Sequence, residues 1–209
     1  MEKNRPSVKL KSTHAADMRI FSYVVARDFG FAPNPFFQLC TLATCKPRIR
    51  EAARRGDFVV GTCPSPRVHN LVFFMEVQEI VTYDQYWNAP EFQAKKPNLY
   101  GSKKAAFGDN IYHRDPESHW IQEDSHHTND DGSQCQENID TDTSCENVLI
   151  SRNFCYWGGN GPELPPQLYP LVKKGPGHKS NFSEEFKQEI IGWLAAAERG
   201  FVSHPFSWR

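Results

Sequence analysis

Residues 40–81, CTLATCKPRIREAARRGDFVVGTCPSPRVHNLVFFMEVQEIV, constrain the fold of this chain more than any other stretch. Pro47 suits the first turn of a helix, where it has no amide hydrogen to lose and its fixed φ is already helical. Ile49, Ala52 and Ala53 follow at helical spacing as a narrow apolar stripe. Gly56 stands where a left-handed C-terminal cap belongs, and Arg54 and Arg55 complement the end of the helix dipole. Phe58–Val60 and Leu71–Val77 are β-rich runs, and the short, proline-bearing connection between them predicts an antiparallel hairpin. The unit reads strand, basic helix, tight turn, strand, loop, strand. It places the chain in the α+β class.

The flanks extend that pattern. Met18–Ala26 and Leu39–Thr44 read as strands, and Val148–Trp157 as one strand ended by Gly158-Gly159-Asn160-Gly161. Asp84 is positioned to cap a short helix at Tyr86–Trp87, and a second short helix covers Ala89–Phe92. Asn181, with Glu184 three residues on, starts a last helix whose apolar residues include Phe186, Ile190 and Leu194. Residues 123–147 hold eight acids and no Lys or Arg, which predicts a mobile, solvated loop. Residues 1–17 carry charge but no apolar segment of the secretory kind, so they are expected to be a flexible leader. No run approaches the roughly 20 apolar residues of a membrane helix, so no membrane contact is expected and the cytoplasm is the expected compartment. With 39% apolar residues, 18–209 reads as a single domain.

Lys46, Arg48, Arg50, Arg54 and Arg55 face a single acid, Glu51, between residues 46 and 55. The plain reading is a solvated helix face; the sharper one is a phosphate patch, because guanidinium forks match phosphate oxygens. The net charge of −1 means that any nucleic-acid contact is local. In the loop RDFGFAPNPFF, Phe29 and Phe31 either pin a turn or form a rim on which a base stacks, with Asn34 beside them. Asp109, Asn110, Tyr112 and His113 crowd into GDNIYH. A carboxylate and an amide there can read a base edge, and the alternative is an Asx-turn between two strands. Ser125 and His126 open the acidic segment and could assist a general base at Asp109 or His113. Lys174, His178 and Lys179 lie in KKGPGHK, where two glycines beside lysines suit an anion. The six cysteines match no zinc spacing and read as free thiols. No Walker, G-x-G-x-x-G, G-x-S-x-G or H-E-x-x-H pattern occurs, so no metal or cofactor is expected.

The helix running into Gly-Asp and two hydrophobic strands resembles the core of PUA-like domains of the EVE and ASCH type. That likeness implies a small mixed β-barrel with flanking helices that recognises nucleic-acid bases. RIFSYVVARDFGFAPNP, CTLATCKPRIR, GDFVVGT, GDNIYH, VLISRNFCYWG and GPGHK together resemble more closely the second of the numbered nucleotide-modification-associated domain families. Its members occur in phage and bacterial gene neighbourhoods that modify nucleic acids. The resemblance implies a partner that is a nucleotide or a nucleic acid carrying a modified base, with other proteins of such a system as further partners. Three functions follow in order of preference. The first is a binding module in which Phe29, Phe31 and Trp157 stack, Asp109 and Asn110 read the base, and Arg48, Arg54, Lys174 and Lys179 hold phosphate. An enzyme with Asp109 or His113 as base is the second, and a protein-interaction domain the third.

Overall fold

The computed structural model describes residues 18–208, so the expected leader at 1–17 lies outside the described residues. In chain order the strands are β1 (Ile20–Val24), β2 (Cys40–Leu42), β3 (Phe58–Thr62), β4 (Leu71–Glu76), β5 (Glu79–Thr82), β6 (Tyr112–Arg114), β7 (Trp120–Gln122), β8 (Asn147–Ser151), β9 (Phe154–Tyr156) and β10 (Gly200–Phe201). The helices are α1 (Pro47–Ala52), α2 (Tyr83–Asn88), α3 (Lys103–Ala106), α4 (Gln136–Thr143) and α5 (Glu184–Ala195).

The expected β3–β4 hairpin is antiparallel, and β1 joins β3 in parallel, with α1 in the crossover between them. These strands belong to a five-stranded sheet of order β1-β3-β4-β9-β10. A second sheet has the order β2-β8-β5, and β6 pairs with β7 alone. The fold is mixed α/β. None of these sheets closes into a barrel among the described residues. One reason is visible where a single strand was expected across Val148–Trp157. The Gln78 side-chain oxygen accepts the amides of Arg152 (2.6 Å) and Asn153 (3.2 Å), breaking the run so that β8 and β9 enter different sheets.

β4 is covered on both faces, as its nearly continuous apolar sequence requires. Phe73 and Met75 join Phe21, Tyr23 and Val59 in one cluster; Leu71 and Phe74 join Ile20, Val60, Ile190 and Leu194 of α5 in another. Each such side chain contributes roughly 1.5–3 kcal/mol by leaving water. A third cluster holds Phe31, Tyr83, Tyr86, Ile111, Tyr112, Ile139 and Val148.

Two caps lie two residues from their expected positions. Ser183, not Asn181, caps α5, its hydroxyl accepting the Phe186 amide at 3.3 Å. Thr82, not Asp84, caps α2, and Gln85 completes a reciprocal capping box. The larger correction concerns residues 123–147. The expected solvated loop contains α4, which turns Ile139 and Asp142 inward and leaves Glu137 and Asp140 exposed. Composition misses this helix because its one apolar side chain, Ile139, suffices to anchor two turns when Asp142 finds polar partners inside. No helix among the described residues is long and apolar enough to cross a membrane.

Candidate functional site

The C-terminal end of β1 meets the β2–α1 turn, the loop after β7 and the Gly-rich loop before α5. Two cavities open there, of about 840 and 430 Å³, and Val24, Ala26 and Lys46 line both. Lys173, Lys174, Gly175 and Gly177 form one wall of the larger cavity, with the His69 and Tyr169 rings opposite, themselves stacked at 3.6 Å. Gly175 and Gly177 have φ of 73° and 84°, conformations that side-chain-bearing residues resist. The loop is tied to β1 by two backbone hydrogen bonds of 2.8 Å between Ser22 and Lys179. Burial lowers the pKa of His178, and the neighbouring charges of Arg48, Lys173 and Lys46 lower it further. Lys46, Lys173 and Lys174 line this cavity and the Arg48 charge lies close to its glycine-rich loop, which suits an anion.

The smaller cavity is lined by the Phe29–Phe31 loop, whose Phe31 is also buried in the third hydrophobic cluster. Its partner is His126, whose ring lies 4.5 Å from Phe29 and 5.4 Å from Phe31. Burial and the charges of His127 and Arg27 keep the His126 imidazole below its ordinary pKa.

Cys45 and His127 also line this cavity. Cys45 and Lys46 both adopt left-handed backbone conformations, φ 56° and 45°, at the entry to α1. Cys45 Sγ lies 3.6 Å from His127 Nε2. On the other side of the ring, His127 Nδ1 lies 2.9 Å from Asp142 Oδ2. Asp142 is buried; it also accepts the Tyr112 hydroxyl at 2.9 Å and the Cys45 amide at 2.6 Å. Burial opposes the His127 imidazolium, but the hydrogen bonds to Asp142 and Cys45 outweigh it and raise the pKa to about 10. His127 is therefore charged at neutral pH, with both ring nitrogens donating.

Arg50 holds the geometry from behind. It is fully buried, and its guanidinium donates to the carbonyls of Cys45 (2.9 Å), Cys145 (2.8 Å), Asn147 (2.8 Å) and Asp142. Ligand atoms of Cys45, His127 and Asp142 lie within 4.8 Å of one another, a set that a metal ion could use. An ion could take only one nitrogen of a ring that presents Nδ1 to Asp142 and Nε2 to Cys45.

A family model described as nucleotide modification associated domain 2 matches residues 17–209. The chain belongs to that family. No curated protein and no solved structure matches it.

Within this nucleotide modification associated domain, the cavities gather Phe29, Phe31, His126 and Lys174 from the candidates that the sequence offers, while Arg48 and His178 lie close to Lys46 and Lys173 without lining either cavity. Others lie elsewhere. Asp109 and Asn110 are buried: Asp109 accepts the hydroxyls of Thr41 (2.7 Å) and Tyr86 (2.8 Å), and Asn110 donates to the Tyr86 carbonyl (2.8 Å). The GDN run is not a turn between two strands; it connects α3 to β6, packed so closely that a Cβ on Gly108 would meet the Lys95 carbonyl at 2.3 Å. Asn34 is buried, donating to the Phe107 carbonyl and accepting the Lys95 ammonium. Tyr112 sits behind Asp142. His113 pairs with Glu123 at 2.8 Å and stacks on Trp87, and it lines neither cavity. The Ser125 hydroxyl accepts the His127 amide at 3.3 Å. Trp157 is buried against Phe74, Lys179 donates to the Pro170 carbonyl, and the Arg54 amide donates to Asp57 beside the Gly56 turn. Cys45, His127 and Asp142 escape the motif patterns because such groups are adjacent in space, not in sequence.

Asp109→Ala should be costly for stability alone. It strips the buried Thr41 and Tyr86 hydroxyls, and the nearby Lys95 ammonium, of their carboxylate. A loss of about 3 kcal/mol or more is expected in denaturant unfolding, with ligand affinity of the folded fraction unchanged.

Proposed function

We propose that this protein binds a nucleotide, free or within a nucleic acid, across the two joined cavities as a recognition component of a nucleotide modification system. One observation carries the reading: Lys46, which lines the larger cavity with Lys173 and Lys174, also lines the smaller one with Phe29, Phe31 and His126. Phosphate belongs in the basic end and a base, modified or not, against the rings. Cavities of this size are ordinary for small ligands, and a stacked base contributes roughly 1–3 kcal/mol. The kinship to PUA-like base readers belongs to this reading. Its support is the order strand, basic helix, Gly-Asp turn and hairpin in β2–α1–β3–β4. Family membership supports a role in nucleotide modification.

Thermal unfolding against nucleotides and short modified and unmodified DNAs tests it. A ligand at about 100 times its dissociation constant should add roughly 2.7 kcal/mol. The shift should vanish in the double variant Lys46→Ala, Lys173→Ala and weaken steeply with salt. Bound phosphate should also move the His178 titration upward by NMR, because it offsets the like charges that add to burial in depressing it. No shift with any ligand, or a shift that the double variant retains, would overturn the proposal.

A further inference from the structure

We propose that Cys45, His127 and Asp142 form a thiol-nucleophile triad that transfers or hydrolyses an acyl group, an amide or ester, bound in the smaller cavity. Three separate pieces of chain meet here: the turn into α1, the loop after β7 and α4. Their side chains line up as nucleophile, base and orienting acid, at 3.6 and 2.9 Å. Cys45 and His127 face the cavity, while Asp142 is buried behind the ring and acts as a positioning residue. Three of the other thiols differ. Burial raises the pKa of Cys40, Cys63 and Cys155, whereas the Cys45 sulfur faces an imidazolium.

The ring orientation points to acyl chemistry. An imidazolium with Nδ1 fixed on a buried carboxylate and Nε2 at the sulfur is placed to hand a proton to a leaving group. The Sγ thiolate adds to the carbonyl carbon; a C–S bond forms and the π pair moves to oxygen. Collapse expels the amine or alkoxide, which takes the Nε2 proton, and leaves a thioester and neutral His127. His127 then removes a proton from water as the water oxygen adds to the thioester carbon. The C–S bond breaks, the acid departs, and the thiolate–imidazolium pair returns. If the nucleotide reading holds, an exocyclic amine of a base in the joined cavity could take the place of water, so the acyl group would be transferred to that base.

Two measurements on the whole protein test the triad without any nucleotide. Brief iodoacetamide treatment, read by site-resolved mass spectrometry, should label Cys45 at least tenfold faster than the similarly half-buried Cys135. That preference should persist below pH 7 and fall to parity in His127→Gln. With p-nitrophenyl acetate, a burst of one equivalent of p-nitrophenol should leave an acetyl group on the Cys45 peptide. Cys45→Ser, checked for folding by circular dichroism, should lose the burst. Equal labelling of Cys45 and Cys135, or a burst that survives Cys45→Ser, overturns the proposal. So does stoichiometric zinc binding that blocks Cys45 and is reversed by chelator, which would make the three residues a metal site. Because the nucleotide melting shift needs no thiol, its failure and this one are told apart directly.

Discussion

Arg50→Ala is expected to remove about 3–5 kcal/mol of stability, a large part of what a domain of this size holds. The guanidinium satisfies four carbonyls, those of Cys45, Asp142, Cys145 and Asn147, and its face lies 5.6 Å from the Tyr83 ring. An alanine leaves those acceptors unpaired at roughly 1–3 kcal/mol for each that cannot reach water, and adds a cavity the size of the lost side chain. Arg50→Lys keeps the charge but not the planar fork, so it should retain the fold while loosening the link between Cys45 and Asp142. Urea unfolding measures the first effect, and the Cys45-to-Cys135 labelling ratio in Arg50→Lys measures the second. A variant Arg50→Ala within about 1 kcal/mol of wild type would show that the clamp does not hold this corner together.

Arg50 also marks where the sequence stops being legible. Pro47, the Ile49–Ala53 stripe and the β-rich runs around the Gly56 turn locate α1, β3 and β4, because each depends on neighbours in the chain. The Phe29–Phe31 and Gly175–Gly177 segments are legible as loops for the same reason. Arg50 sits in a run of bases that local chemistry reads as solvated or phosphate-facing, yet it is fully buried. Two of its acceptors, Cys145 and Asn147, are 95 and 97 residues away. Asp142 is one of eight acids in a segment of solvated composition, and the Tyr112 and His127 side chains and the Cys45 amide single it out. Asp109 fails in the opposite direction. Its setting in GDNIYH looks like a base-reading turn, but Thr41 and Tyr86 close it inside the third cluster. In all three cases a polar side chain is placed by partners far along the chain, and no local pattern encodes them.

Asp142→Asn carries the second large effect, and its sign follows from His127. In the folded wild type the imidazole titrates near 10, above the ordinary value of 6.5 expected when unfolded. The folded state therefore holds the proton more tightly. The resulting stability is complete below about pH 6.5 and is lost as pH rises through 10. An asparagine removes the carboxylate that stabilises the imidazolium, so the His127 titration should fall toward or below 6.5 by NMR. Wild type should exceed the variant by a few kcal/mol at pH 6, and the gap should narrow steadily toward pH 10. The thiol chemistry should change alongside. Acetylation of Cys45 in the wild type should proceed at pH 6, where the imidazolium held by Asp142 still faces the sulfur. In Asp142→Asn it should be slower at pH 6 and climb with pH as the uncoupled imidazole loses its proton and serves only as a base. A merely structural carboxylate would lower stability without moving either pH profile. Unchanged His127 titration in a folded Asp142→Asn protein would detach the acid from the ring and remove the basis for a proton-handling role at Cys45.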